Sequence, residues 1–243
     1  MNLRGDNMNR VVLVTGASRG LGSSIAQVFL NHDDIVYVNY NNSKQEAEKL
    51  CSKYKKAIPI KCDVASESEV KEMVERIKKE QGHLDVIVNN AGIALDSLIE
   101  DKTKESFLKV LDTNLIGPFL VCKYGQKIMT KGSIINISST NGIDTYYPYS
   151  LDYDASKAGL ISLTHNLAVA YAPNIRVNAI APGWINTDMN KELDKSFQKE
   201  ECAKILLHRF AEPKEIANVV FFLASDDASY INGSIIRVDG GLK

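Results

Sequence analysis

The chain has 243 residues, 44% hydrophobic and 24% charged, enough to bury one substantial core. Its formal net charge of −1 supplies no basic field to hold nucleic acid or an anionic membrane. The longest apolar run, "ANVVFFLA" at 217–224, is too short to span a bilayer, and "MNLRGDNMNR" lacks the apolar centre of a signal peptide.

Residues 1–9 read as a flexible polar lead-in, with Met8 as an alternative start. The first β-rich run, "RVVLVT" (10–15), feeds directly into "VTGASRGLG", which opens a helix at "LGSSIAQVFL". The glycines are Gly16, Gly20 and Gly22, a GxxxGxG spacing. Glycine permits a tight turn and close backbone approach, and a helix N-terminus presents free N–H groups with partial positive charge. In this strand–turn–helix context the turn reads as a dinucleotide phosphate site, with Gly16, Ser18, Arg19, Gly20, Leu21 and Gly22 as its contacts.

The second run is "DIVYVNY" (34–40). An NAD-preferring site usually offers a carboxylate at the end of this strand, for the ribose 2′-hydroxyl. Here Tyr40 stands in that place, and no Asp or Glu occurs from 35 through 45. Arg19 and Lys44 are positioned to face a 2′-phosphate, so NADP(H) is favoured over NAD(H).

Five more runs read as strands: "AIPIKC" (57–62), "LDVIVNN" (84–90), "SIINIS" (133–138), "IRVNAIA" (175–181) and "SIIRVD" (234–239). Several are apolar without alternation, as in strands covered on both faces. "EVKEMVERIKKEQ" (69–81) puts Val70, Met73, Val74 and Ile77 on one helical stripe. "SKAGLISLTHNLAVAYA" (156–172) is apolar around much of its circumference, and "PKEIANVVFFLAS" (213–225) starts with Pro213 at a suitable first helical position. Strand–helix alternation with short joints implies right-handed crossovers and a parallel sheet. The expected fold class is α/β: one doubly wound domain over 10–243, with helices on both faces.

Cys51, Cys62, Cys122 and Cys202 form no CxxC pair, and reduced thiols in a cytoplasmic protein are the expectation. His32, His83, His165 and His208 are scattered, so no metal site is expected. "YDASK" (153–157) places a tyrosine and a lysine about one helical turn apart, sharing a face. Alone, the pentapeptide leaves open an ordinary surface pair. Its other reading is chemical. A free phenol ionises near pH 10, and an ammonium about 4 Å away favours phenolate by a few kcal/mol at an effective dielectric near 20.

"TGASRGLG", "NNAG" (89–92), "TNLIG" (113–117), "SIINISS" (133–139), "YDASK", "APG" (181–183) and "VDGG" (238–241) occur in the order and rough spacing of the short-chain dehydrogenase/reductase family, which this chain resembles from Arg10 onward. The resemblance implies a Rossmann-type domain with a seven-stranded parallel sheet, and assembly as a homodimer or homotetramer through the helices at about 103–130 and the last strand. It implies that Tyr153 is the acid/base protonating a carbonyl oxygen. Lys157 would hold the nicotinamide ribose and lower the tyrosine's pKa, and Ser139 would hydrogen-bond the substrate oxygen. Asn114 would support a water link in a proton relay through Lys157. By the same resemblance Asn90, Ala91 and Gly92 flank the cofactor ribose, and Asp63 and Val64 pack on adenine. Pro182, Gly183, Ile185 and Thr187 contact the carboxamide and nearby phosphate. Ser139 is preferred to Ser138 by family spacing, although the gap to Tyr153 carries an extra residue. Tyr146, Tyr147 and Tyr149 lie in that gap and have no lysine four residues later; they read as pocket lining or packing.

The tail at 208–241, with "TGASRGLG" and "NNAGIALDSLI", resembles the 3-oxoacyl-acyl-carrier-protein reductases of fatty-acid synthesis. That implies an NADPH-dependent reductase of a carrier-linked or small carbonyl substrate, with acyl carrier protein as a candidate partner. Two stretches depart from the pattern. "YGQKIMTKGS" (124–133) and "LAVAYAPNIR" (167–176) are short and poor in charge, leaving Lys127, Lys131 and Arg176 as substitutes for the usual carrier-gripping arginines. Residues 187–209 are expected to form a lid. The alternatives are a reductase of a small ketone, sugar or polyol, and a non-catalytic NADP-binding regulator or scaffold. The intact Ser139–Tyr153–Lys157 set argues against the last.

Overall fold

The computed structural model describes residues 9–187 and 194–242. Most of the expected lead-in and residues 188–193 of the expected lid lie outside them.

Seven strands form a single sheet: β1 Val11–Val14, β2 Ile35–Tyr40, β3 Ala57–Lys61, β4 Val86–Asn89, β5 Gly132–Ile137, β6 Ile175–Pro182 and β7 Ile235–Val238. Their order is β3-β2-β1-β4-β5-β6-β7, and every pairing is parallel. The helices are α1 Gly20–Asn31, α2 Lys44–Cys51, α3 Glu67–Gln81, α4 Lys104–Leu111, α5 Gly117–Gly125, α6 Leu151–Tyr171, α7 Lys195–Lys204 and α8 Pro213–Leu223. All seven expected strands are present, in one doubly wound α/β domain.

Side chains alternate across a strand, so β1 feeds two cores at once. Val12 and Val14 join Ile25 and Phe29 of α1 and Ile216 and Val220 of α8 on one face. Val11 and Leu13 join α3, α5 and Leu167 of α6 on the other. This is why the strands read as continuous apolar runs. The α3 stripe lands as expected, with Val70, Met73, Val74 and Ile77 all buried. Ser66 caps that helix by accepting from the Glu69 N–H, and Gly82 ends it in the left-handed region at φ 78°.

Two local features depart from the pattern reading. The helix expected over 156–172 begins five residues earlier, at Leu151, so "YDASK" lies wholly within its first two turns. Between α4 and α5 the backbone widens into a π turn over Asp112–Ile116, with Asn114 fully buried in it.

Candidate active site

Parallel strands bring the C-terminal ends of β1, β2, β4, β5 and β6 to one edge of the sheet. The strand order reverses between β1 and β4, and open α/β sheets bind ligands at such a switch point.

The glycine turn lies at that point. A Cβ on Gly22 would stand 2.3 Å from the Gly16 carbonyl oxygen, and one on Gly16, at φ 60°, would stand 2.8 Å from Ala91 Cα. Glycine is therefore required at both. At Gly20 a Cβ would meet nothing nearer than Thr187, 3.9 Å away, so the turn is open where a phosphate would approach. Thr15 and Asn90 fasten the turn to the loop after β4. Thr15 Oγ1 accepts the N–H groups of Asn90 and Ala91, both at 3.0 Å, and Asn90 Nδ2 donates to the carbonyls of Thr15 (2.9 Å) and Gly16 (3.1 Å). Asn39, which pattern reasoning passed over, accepts the Gly16 N–H at 3.1 Å and donates to the Cys62 carbonyl at 3.0 Å. A lone amide in the apolar run "VYVNY" was the available signal.

The other expected cofactor contacts surround this turn. Arg19 and Lys44 are both exposed, Lys44 being 3.6 Å from Glu48. Tyr40 is buried in the core at the end of β2, and the exposed Asn41 and Asn42 follow it. Asp63 is half-buried, its carboxylate accepting the Ala65 N–H at 3.0 Å, and Val64 packs against Gly117. Gly183 follows Pro182, and a Cβ there would touch Asp239 at 3.0 Å. Ile185 pairs with Ala211, and Thr187 lies beside Gly20 of the glycine turn. Trp184 ties the 183–187 segment to α7: its indole N–H donates to Glu201 at 2.9 Å, and its ring stacks on Phe210.

Ser139, Tyr153, Lys157, Asn114 and Gly92 converge beside the turn. Lys157 is 4% exposed; its Nζ donates to the Ile137 carbonyl at 2.8 Å and lies 5.3 Å from the Tyr153 ring centroid. A Cβ on Gly92 would sit 3.6 Å from that Nζ and 3.3 Å from Asn114 Oδ1. Asn114 accepts the Ile93 N–H at 2.8 Å and donates to the Ile93 carbonyl at 2.9 Å and to Ser156 Oγ at 3.1 Å. Ser138 turns inward and donates to the Lys157 carbonyl at 2.9 Å, leaving Ser139 as the serine beside Tyr153.

Burial drives the two titrating groups in opposite directions. It pushes the Tyr153 phenol up to about 12, against a hydrogen bond from Ser139 that favours phenolate, while Asp154 and Asp96 push it up further. It pulls the Lys157 ammonium down to about 8. The net shift of the phenol in the free chain is upward, opposite to the lowering expected from Lys157. The ammonium sits over the ring face, bonded to a backbone carbonyl rather than to the phenol oxygen.

Pattern reasoning also missed two neighbours of Tyr153. Asp152 is buried in an ion pair with Lys102, 3.0 Å away, and accepts the Tyr153 N–H at 2.9 Å. Asp154, inside "YDASK" itself, accepts from Asn141 at 2.7 Å. Arg176, a suggested carrier contact, instead donates to the carbonyls of Ile231, Leu223 and Ser225 and is half-buried, whereas Lys127 and Lys131 are exposed.

A doubly wound parallel sheet, a glycine turn at its switch point and a Tyr–Lys pair beside it define an NAD(P)-dependent oxidoreductase. A family model described as enoyl-(acyl carrier protein) reductase matches residues 16–243. The chain is 39% identical to the 3-oxoacyl-[acyl-carrier-protein] reductase FabG of Thermotoga maritima, over 96% of this chain and 97% of that protein. It is 41% identical to the protein of the same name from Staphylococcus epidermidis, over 97% of this chain and 99% of that one. A short-chain dehydrogenase/reductase of Serratia marcescens, solved as a double mutant, superposes with a TM-score of 0.91 at 29% identity, over 96% of this chain and 97% of that one. The chain belongs to the short-chain dehydrogenase/reductase family.

Proposed function

We propose that the protein reduces the ketone of a 3-oxoacyl thioester to the alcohol, with NADPH as hydride donor, on substrates carried by an acyl carrier protein in the cytoplasm. The observation that carries this reading is the full-length match, at 39–41% identity, to proteins named for that reaction, together with the Ser139–Tyr153–Lys157 grouping. The exposed Arg19 and Lys44, with no carboxylate at the end of β2, support NADPH over NADH. Exposed Lys127 and Lys131 are the cations offered to an acidic carrier.

The open glycine turn and the close-packed Gly16, Gly22 and Ala91 suit a pyrophosphate, with Asn90, Ala91 and Gly92 along the ribose. The bound nicotinamide supplies the hydride. The chain's own residues handle the proton. A phenol held at about 12 stays protonated at neutral pH, so Tyr153 stands ready as the acid for the carbonyl oxygen. Ser139 hydrogen-bonds that oxygen and stabilises the charge growing on it. Lys157, near 8, would hold the ribose hydroxyls and return a proton toward the phenol, with Asn114 supporting a water link. In the alcohol-oxidising direction the same Tyr153 oxygen, once ionised, is the base.

The test is NADPH and NADH consumption with an acetoacetyl thioester and a panel of small ketones. Faster turnover of the thioester with NADPH supports the proposal. Turnover of small ketones alone overturns the substrate assignment, and equal use of NADH overturns the cofactor preference.

A further inference from the structure

The two hydroxyls assigned to the substrate oxygen sit on different elements, Ser139 just past β5 and Tyr153 in the first turn of α6. One polar strap joins them. Ser139 Oγ donates to Asn141 Oδ1 at 3.1 Å and accepts the Asn141 backbone N–H at 3.2 Å. Asn141 Nδ2 donates to Asp154 Oδ1 at 2.7 Å. Asp154 Oδ2 accepts the Tyr147 N–H at 3.2 Å, and Asp154 directly follows Tyr153 in the chain. Besides the direct contact of Ser139 with Tyr153, the two are thus connected by two side-chain hydrogen bonds and one peptide link.

The chemistry of the strap is directional. A carboxylate only accepts, so Asp154 requires the amide nitrogen of Asn141 to face it. That fixes the amide flip and leaves Oδ1 facing Ser139. The flipped amide would set an oxygen against a carboxylate. The backbone N–H of Asn141 holds Ser139 Oγ in place. The hydroxyl carries one proton, which rests on Asn141 Oδ1 in the free protein and turns from there to the reacting oxygen when substrate arrives. We propose that Asn141 and Asp154 are positioning residues that hold the Ser139 hydroxyl in register with Tyr153 for the reacting oxygen. The proposal rests on the reductase reading above.

A tie that merely anchored the 140–147 segment would change thermal stability and leave kcat alone. Positioning predicts a split between kcat and binding. The variants are Asn141→Ala, Asp154→Ala and the double swap N141D/D154N, assayed with acetoacetyl thioester and NADPH, with NADPH affinity from fluorescence titration. In the swap, the new carboxylate at 141 accepts from both Ser139 and the amide at 154. That amide's oxygen accepts the Tyr147 N–H, so all three side-chain bonds are re-formed. Each single variant should lose about 10-fold or more in kcat, with NADPH affinity within about 3-fold of wild type, and the swap should recover most of the loss. NADPH binding certifies the fold, and the half-exposed Asn141 gives the variant least able to disturb it. Asn141→Ala with kcat within about 2-fold of wild type, or a swap no better than the worse single variant, would overturn the proposal. A wild-type protein that turns over no carbonyl would instead remove the reductase reading beneath it.

Discussion

At Lys157 the cost of burying a charge is exposed to a simple titration. Its folded pKa, about 8, lies below the 10.5 of a free lysine. Between those values the unfolded chain binds more protons than the folded one, so stability rises with pH through that window. Below about 8 both states carry the charge, and the folded state bears its full desolvation penalty. Lys157→Met removes the charge at similar length. Urea unfolding of both proteins should show wild type gaining on the variant by up to about 3 kcal/mol between pH 8 and 10. A difference that stays flat contradicts the burial account. The sequence named Tyr153, Lys157 and Ser139 as candidates, because their spacing follows chain order, and the fold brings the three side by side. Sequence alone could not reveal the direction of the phenol's shift. That depends first on desolvation and also on Asp96, which only the packed structure brings to Tyr153, while Asp154, the next residue in the chain, adds to the shift.

Among the elements, α3 was the most legible. It has a Ser66 cap, a four-residue apolar stripe and a glycine stop, all local signals. Ser66→Ala should lower stability by about 1 kcal/mol in denaturant melts with kcat unchanged. The glycine turn was legible for the same reason, since its strand–turn–helix context is contiguous. Gly22→Ala puts a methyl 2.3 Å from the Gly16 carbonyl, so the turn must open. NADPH should then bind at least about 10-fold more weakly by fluorescence titration, and unchanged affinity would place the phosphates elsewhere. The start of α6 was not legible. "SLDYD" has the polar character of a loop, and its first turn is seated by the buried pair of Asp152 with Lys102, from 50 residues away. The π turn at Asn114 was equally hidden, being held by contacts with Ile93 and Ser156.

For the whole molecule, the sheet was legible because parallel strands buried on both faces have an unmistakable composition, and the alternation with helices dictates the winding. Assembly is written less clearly. Leu108 on α4, Ile116 in the π turn and Phe119 on α5 are exposed by 44%, 41% and 39%, at the helices where the family resemblance places association. We propose that this face joins copies of the chain: Phe119→Glu should then shift the protein toward monomer in analytical ultracentrifugation, and a wild-type monomer or an unaltered distribution would contradict it. Among the described residues no helix is long and apolar enough to cross a membrane. The central claim is that one phenol, held protonated at the sheet's switch point, delivers the proton that accompanies hydride transfer. Its most direct test is kcat/KM for acetoacetyl thioester with NADPH in wild type and Tyr153→Phe. The account predicts a loss on the order of 10²–10⁴-fold with NADPH affinity retained. A variant within about 3-fold of wild type would contradict it.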